Sequence, residues 1–147
     1  MRSGARGVNG AVEWMVILDQ AGIHLEKRGM EESNFKKLIV WQKAMDLVDE
    51  VYALQRGFPK SEIFGLGDQL RRAVVSIPSN IAEGNGRTSP KELAHFLSIA
   101  RGSVYEVVTQ LIVAKRQGLI PDIVAAESHA NEIARILSAM ISRSSKL

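Results

Sequence analysis

The chain has 147 residues, 46% of them hydrophobic and 24% charged, a balance that fits one soluble domain with a sizeable core. Aromatic residues make up only 5%, so the core must be mostly aliphatic, and the lack of cysteine excludes disulfides, thiolate metal sites and cysteine nucleophiles. The net charge of +3 is uneven: residues 1–34 hold four Arg and Lys against five Asp and Glu, whereas residues 35–147 hold fifteen against eleven.

A mildly basic body suits a polyanion partner, and it suits an ordinary solvated surface as well. No apolar run approaches the roughly 18 residues of a membrane span. The stretch Trp14-Met-Val-Ile-Leu18 is short for a signal-peptide core and lacks a clear cleavage site. The expectation is a cytoplasmic protein with no membrane partner.

Residues 1–33 read as an N-terminal extension, flexible or loosely packed. Three glycines punctuate the first ten residues, at positions 4, 7 and 10. Residues 11–27 show no sustained period. Met30-Glu-Glu-Ser-Asn34 reads like an ordinary protein start, so residues 1–29 are either an upstream extension or an arm that packs on the body.

From Phe35 the helical period is strong. Helices are expected at about 36–56, 61–84, 90–117 and 121–142. In the first, Leu38, Trp41, Met45, Val48 and Tyr52 form a stripe that ends at Gly57-Phe-Pro59. Ser61 can cap the second, whose stripe runs Ile63, Leu66, Leu70, Ala73 or Val74, Ile77 and Ile81. Pro78 lies inside it and predicts a kink, because proline removes one helical hydrogen bond and crowds the preceding turn. Gly84-Asn-Gly86 is expected to stop it with a left-handed glycine.

The third helix opens with Ser89-Pro-Lys-Glu92, a capping box with proline at its first position. Its stripe, Leu93, Leu97, Ala100, Val104, Val107, Leu111 and Ala114, alternates steps of four and three until Gln117-Gly118. Gly102 in mid-helix costs about 1 kcal/mol of propensity, and a close helix approach there would explain it. Pro121 and Asp122 open the fourth helix, with Ile123, Ala126, Ala130, Ile133, Leu137 and Met140 as its stripe.

Four amphipathic helices with short connections predict an all-α fold, an antiparallel up-down four-helix bundle over residues 34–147. Apolar residues also lie beside the stripes: Val40, Val51, Ile99, Val108, Ile112, Val124, Ile136 and Ile141. Those that a lone bundle cannot bury would mark a self-association face.

Several segments resemble a known family. Phe35-Lys-Lys-Leu-Ile-Val-Trp-Gln-Lys-Ala44, Val51-Tyr-Ala-Leu54, Phe58-Pro59, Gly65-Leu-Gly-Asp-Gln-Leu-Arg-Arg72, Ser76-Ile-Pro-Ser-Asn-Ile-Ala-Glu-Gly84 and Phe96-Leu-Ser-Ile-Ala-Arg-Gly-Ser103 with Glu106 carry the likeness. They resemble the four-helix bundle or 23S ribosomal RNA intervening-sequence proteins, also described as S23 ribosomal protein-like. The motifs cover about residues 35–120. The resemblance implies a ring-like homopentamer, and a relationship to the accessory protein of diversity-generating retroelements, thought to bind nucleic acid and a polymerase. It implies no established catalytic activity.

Ser76, Ser79, Asn80 and Glu83 recur at helical spacing and share one face, with Arg72 one turn before them. Arg101, Ser103 and Glu106 are plausible partners on the third helix. This set is either a ligand or nucleic-acid site, or a structural polar network of Ser76, Ser79, Asn80, Glu83, Ser103 and Glu106 that steadies the Pro78 kink. The structural reading is preferred, since buried polar groups need partners.

Lys36, Lys37, Lys43, Arg71, Arg72, Arg87, Lys91 and Arg101 are the candidate phosphate contacts, because such cations supply most non-specific nucleic-acid affinity. Lys115 and Arg116 belong to the same basic series. In a ring each would recur once per subunit. The bland alternative is solvated helix faces with acidic neighbours. Glu92-x-x-His95 is half of a di-iron pattern without its second half, and Gly84-Asn-Gly-Arg87 lacks the strand and spacing of a phosphate loop.

No catalytic set, metal site or cofactor is therefore expected. The leading expectation is a non-enzymatic, oligomeric nucleic-acid-binding accessory protein. The alternative is a protein scaffold that docks another protein, such as a polymerase, and touches nucleic acid little.

Overall fold

The computed structural model describes residues 35–147. The expected extension over 1–33 lies outside the described residues. A 3-10 turn at Phe35–Lys37 leads into α1 (Ile39–Gln55), α2 (Lys60–Ile63), α3 (Leu66–Asn85), α4 (Pro90–Arg116) and α5 (Val124–Ser144). Among the described residues there is no strand, and the fold is all-α.

The helices form a bundle. α3 packs on α4, α4 packs on α5, and α1 packs on both α3 and α5. The stripes expected for the two last helices, Leu93 to Ala114 and Ile123 to Met140, are buried throughout. Leu70, Val74, Ile77 and Ile81 of α3 join them in one aliphatic core, to which Phe58 contributes an aromatic ring from the α1–α2 connection. By length and composition alone α4 could cross a membrane; here its apolar stripe faces its neighbouring helices.

Leu38 is buried as expected, but along α1 the core face lies one residue away from the rest of the expected stripe. Val40, Ala44, Leu47 and Val51 are fully buried, whereas Trp41, Met45 and Val48 are half-buried and Tyr52 is exposed. Both sets recur at steps of three and four, so period alone does not separate them. α3 and α5 pack on the Val40–Val51 face, while Trp41 and Val48 sit against the margin of the core. Of the additional apolar residues, Val40 and Val51 are core, Val108, Ile136 and Ile141 pack at its margin, and Ile99, Ile112 and Val124 are exposed.

The expected second helix is two pieces. Gly65, with φ −97° and ψ −112°, separates α2 from α3, and Ile63 is exposed instead of lying in the core stripe. α3 runs unbroken through buried Pro78 to Asn85. Ser79 Oγ donates to the Val75 carbonyl and Asn80 Nδ2 to the Ser76 carbonyl, so side chains serve the backbone around the proline.

The helix ends differ from expectation in detail. Gly84 is inside α3 and buried, and Gly86 at the C-cap has φ −82°, not a left-handed conformation. Gly84 instead permits close packing: a Cβ there would meet Phe96 Cβ at 3.0 Å and Leu93 Cδ1 at 3.3 Å. Gly102 is not a close approach, because a Cβ there would meet nothing within 4 Å.

The left-handed glycine is Gly118, at φ 74°. Gly118 N–H donates to the Lys115 carbonyl and Leu119 N–H to that of Ala114, closing the end of α4 in a Schellman motif. At the other end of α4, Ser89 Oγ accepts from Glu92 N–H and donates to the Glu92 carboxylate, which is one half of the expected reciprocal box. α5 starts at Val124 instead of 121, and the Asp122 carboxylate accepts from Val124 N–H.

Candidate nucleic-acid interface

The eight candidate cations fall into three groups. The first is internal. Arg71 is held on three sides: Nη1 donates to Gln55 Oε1 of α1 at 3.0 Å, Nη2 to the Ile63 carbonyl at 2.9 Å, and Asp68 lies 3.7 Å away. Arg101 reaches across to α5, where Nη1 donates to Ser138 Oγ at 3.1 Å. Both tie elements together.

The second group is ion-paired on the surface. Lys43 meets Glu132 of α5 at 3.0 Å, and Arg72 meets Asp68 one turn earlier at 3.1 Å. Arg87 pairs with Glu83 and lies over the Phe96 ring, 4.7 Å from its centroid. Pairs this exposed are weak, so a phosphate can compete with the carboxylate for Arg72 or Arg87.

The third group is the most accessible. Lys36 and Lys37 are exposed in the 3-10 turn that packs on α3, and Lys91 is exposed in the first turn of α4. Lys37 and Lys91 form no ion pair among the described residues. Arg87 and Lys91 flank the same short α3–α4 connection. The sequence reading did not include Arg143 and Lys146, which are exposed in and just beyond the last turn of α5; their only signal was their place near a helix C-terminus.

The polar set on α3 separates likewise. Ser76 Oγ and Ser103 Oγ are 2.8 Å apart across the α3–α4 seam, and Asn80 Nδ2 lies 3.0 Å from Ser76 Oγ. Ser79 bonds its own helix, Glu83 pairs with Arg87, and Glu106 accepts from Gln110 within α4. The inter-helix network is therefore Ser76, Asn80 and Ser103; Ser79, Glu83 and Glu106 are not part of it. This part-buried seam of hydroxyls and an amide ties α3 to α4 and can fix their register.

Among the described residues, no three His, Asp or Glu side chains come together as a metal-binding group. Glu92 is occupied at the start of α4 and His95 stacks edge-on against Phe96 at 5.4 Å. His129 Nδ1 and Glu50 Oε2, 2.7 Å apart, join α5 to α1.

The description 23S rRNA-intervening sequence protein matches residues 36–139, which include α1 through most of α5. No individual curated protein matches the chain. With its all-helical bundle and a match over most of its length, the chain belongs to the 23S rRNA-intervening sequence protein family.

Proposed function

We propose that the chain is a non-enzymatic, cytoplasmic helical protein that self-associates and binds RNA or DNA through phosphate contacts at one end of its bundle. The bundle on this reading has four long helices running up and down. Cross-helix pairs support it: Gln55 with Arg71, Ser76 with Ser103, Gly84 beside Phe96, and Arg101 with Ser138 fall in opposite order along successive helices. On this reading α3 bends at Pro78, where the Val74 carbonyl loses its helical donor.

The observation that carries the binding reading is the gathering of accessible cations. Gln55 and Arg71 fix one end of α1 against the start of α3. A helix of 17 residues is about 25 Å long, so the Lys36–Lys37 turn falls at the opposite end, with Arg87 and Lys91. The C-terminal turn of α5, with Arg143 and Lys146, arrives at that end too. A homopentameric ring, as the family resemblance implies, would present this set of cations five times. Phosphate contacts of this kind add without sequence specificity.

Self-association is supported by apolar side chains left outside the core: Tyr105 is 52% exposed and Val124 66%, with Ile99, Ile112 and Val113 also exposed. The same observation favours a second reading, a scaffold that docks a protein such as a polymerase and touches nucleic acid little.

Fluorescence anisotropy with labelled structured RNA and duplex DNA, over a range of salt, tests the proposal. The wild-type chain should bind with a steep salt slope. Lys37→Ala/Lys91→Ala should weaken binding and flatten the slope by about 2, one per lost phosphate contact in each subunit engaged. No binding at low salt would leave the scaffold reading.

A further inference from the structure

Phe64, between α2 and α3, is 90% exposed, with Ile63 also exposed beside it. Phenylalanine carries a large hydrophobic surface, and nothing in the described chain covers this one. A cleft of about 500 Å³ lies between the end of α4 and the start of α5, lined by Ile112, Lys115, Arg116, Ile123, Val124 and Glu127. Knob and cleft cannot meet within one chain. α1 and α3 hold Phe64 on one side of the bundle, and α4 and α5 form the cleft on the other.

Their surroundings carry exposed apolar side chains and complementary charges. Tyr52 and Val75, both exposed, lie one helical turn from Gln55 and Arg71, which join α1 to α3, so they flank the seam that carries Phe64. Tyr105 lies one turn beyond Arg101, which joins α4 to α5, and leads to the cleft along the other seam. Glu62 and Lys60 stand beside the knob; Lys115, Arg116 and Glu127 stand at the cleft. None of these five forms an ion pair among the described residues. Glu62 can meet Lys115 or Arg116, and Lys60 can meet Glu127.

We infer that Phe64 of one copy of this chain inserts into the Ile112–Val124 cleft of the next. The inference rests on the self-association reading and names its contact. Such a contact is head-to-tail: each copy offers a knob on one side and a cleft on the other. With both at the same end of the bundle, successive copies stand side by side, the arrangement that closes into a ring when the rotation suits. A central aromatic anchor in an apolar pocket rimmed by charges is also where binding energy concentrates.

Sedimentation velocity of the full 147-residue chain tests this with two variants. Phe64→Ala removes the knob, and its exposure means that the fold loses little. Val124→Glu blocks the cleft and places an acid in the first turn of α5, where the helix tolerates it. Circular dichroism should show both as helical as wild type. Each should raise the apparent dissociation constant of assembly at least tenfold. An equimolar mixture should form dimers that grow no further, because the Phe64→Ala copy keeps its cleft and the Val124→Glu copy keeps its knob.

Unchanged assembly of Phe64→Ala would overturn the contact, as would a mixture that stays monomeric; a cleft that serves residues 1–34 or a small molecule gives the first of these results. A monomeric wild type over the whole concentration range would remove the self-association reading itself, and this contact with it.

Discussion

Gly84 brings α3 against Phe96 of α4 so closely that a single added carbon would sit 3.0 Å from Phe96 Cβ. The neighbours there are a side-chain root and buried Leu93, neither of which can swing away. Gly84→Val should therefore cost about 1–3 kcal/mol by overpacking. Gly102→Ala, placed where nothing lies within 4 Å, should stabilise by up to about 1 kcal/mol through helix propensity. Urea unfolding of both variants measures the contrast, and equal effects would show that the two glycines share one role.

Adjacent Arg71 and Arg72 should behave oppositely. Arg71→Ala leaves Gln55 Oε1 and the Ile63 carbonyl without their donor and frees α2 from α3. A loss of about 1–3 kcal/mol is expected. Arg72 is 80% exposed with one surface partner, so Arg72→Ala should change stability by about 0.5 kcal/mol or less. Thermal melts of the two single variants check this, and separate a folding defect from any loss of nucleic-acid affinity.

Ser76 and Ser103 should prove coupled. Removing either hydroxyl by alanine substitution should cost about 1 kcal/mol: Ser76→Ala strands Ser103 Oγ in the α3–α4 seam, and Ser103→Ala leaves Ser76 Oγ with Asn80 Nδ2 of its own helix as its contact. Removing both should cost clearly less than the sum of the singles. A double-mutant cycle from denaturant midpoints reads the difference; strict additivity would dismiss the hydrogen bond as a contributor.

The helices from residue 90 onward were legible because each has one unbroken apolar stripe and a strong start or stop signal: Ser89 before α4, Gly118 after it. α1 was not, because Trp41, Met45, Val48 and Tyr52 compete with Val40, Ala44, Leu47 and Val51 at the same period, and the outer set carries the bulkier side chains. The break at Gly65 left no clear mark, since Ile63 and Leu66 keep the spacing across it. Among the basic residues, Lys37 and Lys91 could be read as surface cations. Arg71 and Arg101 could not be recognised as internal braces, because their partners Gln55 and Ser138 stand 16 and 37 residues away in the chain. Phe64 lies among ordinary turn residues, and only its exposure in the folded chain distinguishes it.

Glu50 and His129 are 79 residues apart in sequence, and with Lys43–Glu132 they fasten α1 to α5 from the outside. The seams α3–α4 and α4–α5 join helices consecutive in the chain, so closing them costs little chain entropy. The α1–α5 seam closes a far longer loop, and the entropy of that closure grows with its length. Its outer fastenings are a surface ion pair and a surface histidine–carboxylate hydrogen bond, each of small worth. Because α1 also packs on α3, its hold on the bundle rests more on that short-range seam than on α5, and the α1–α5 seam is the one whose closure costs the most chain entropy.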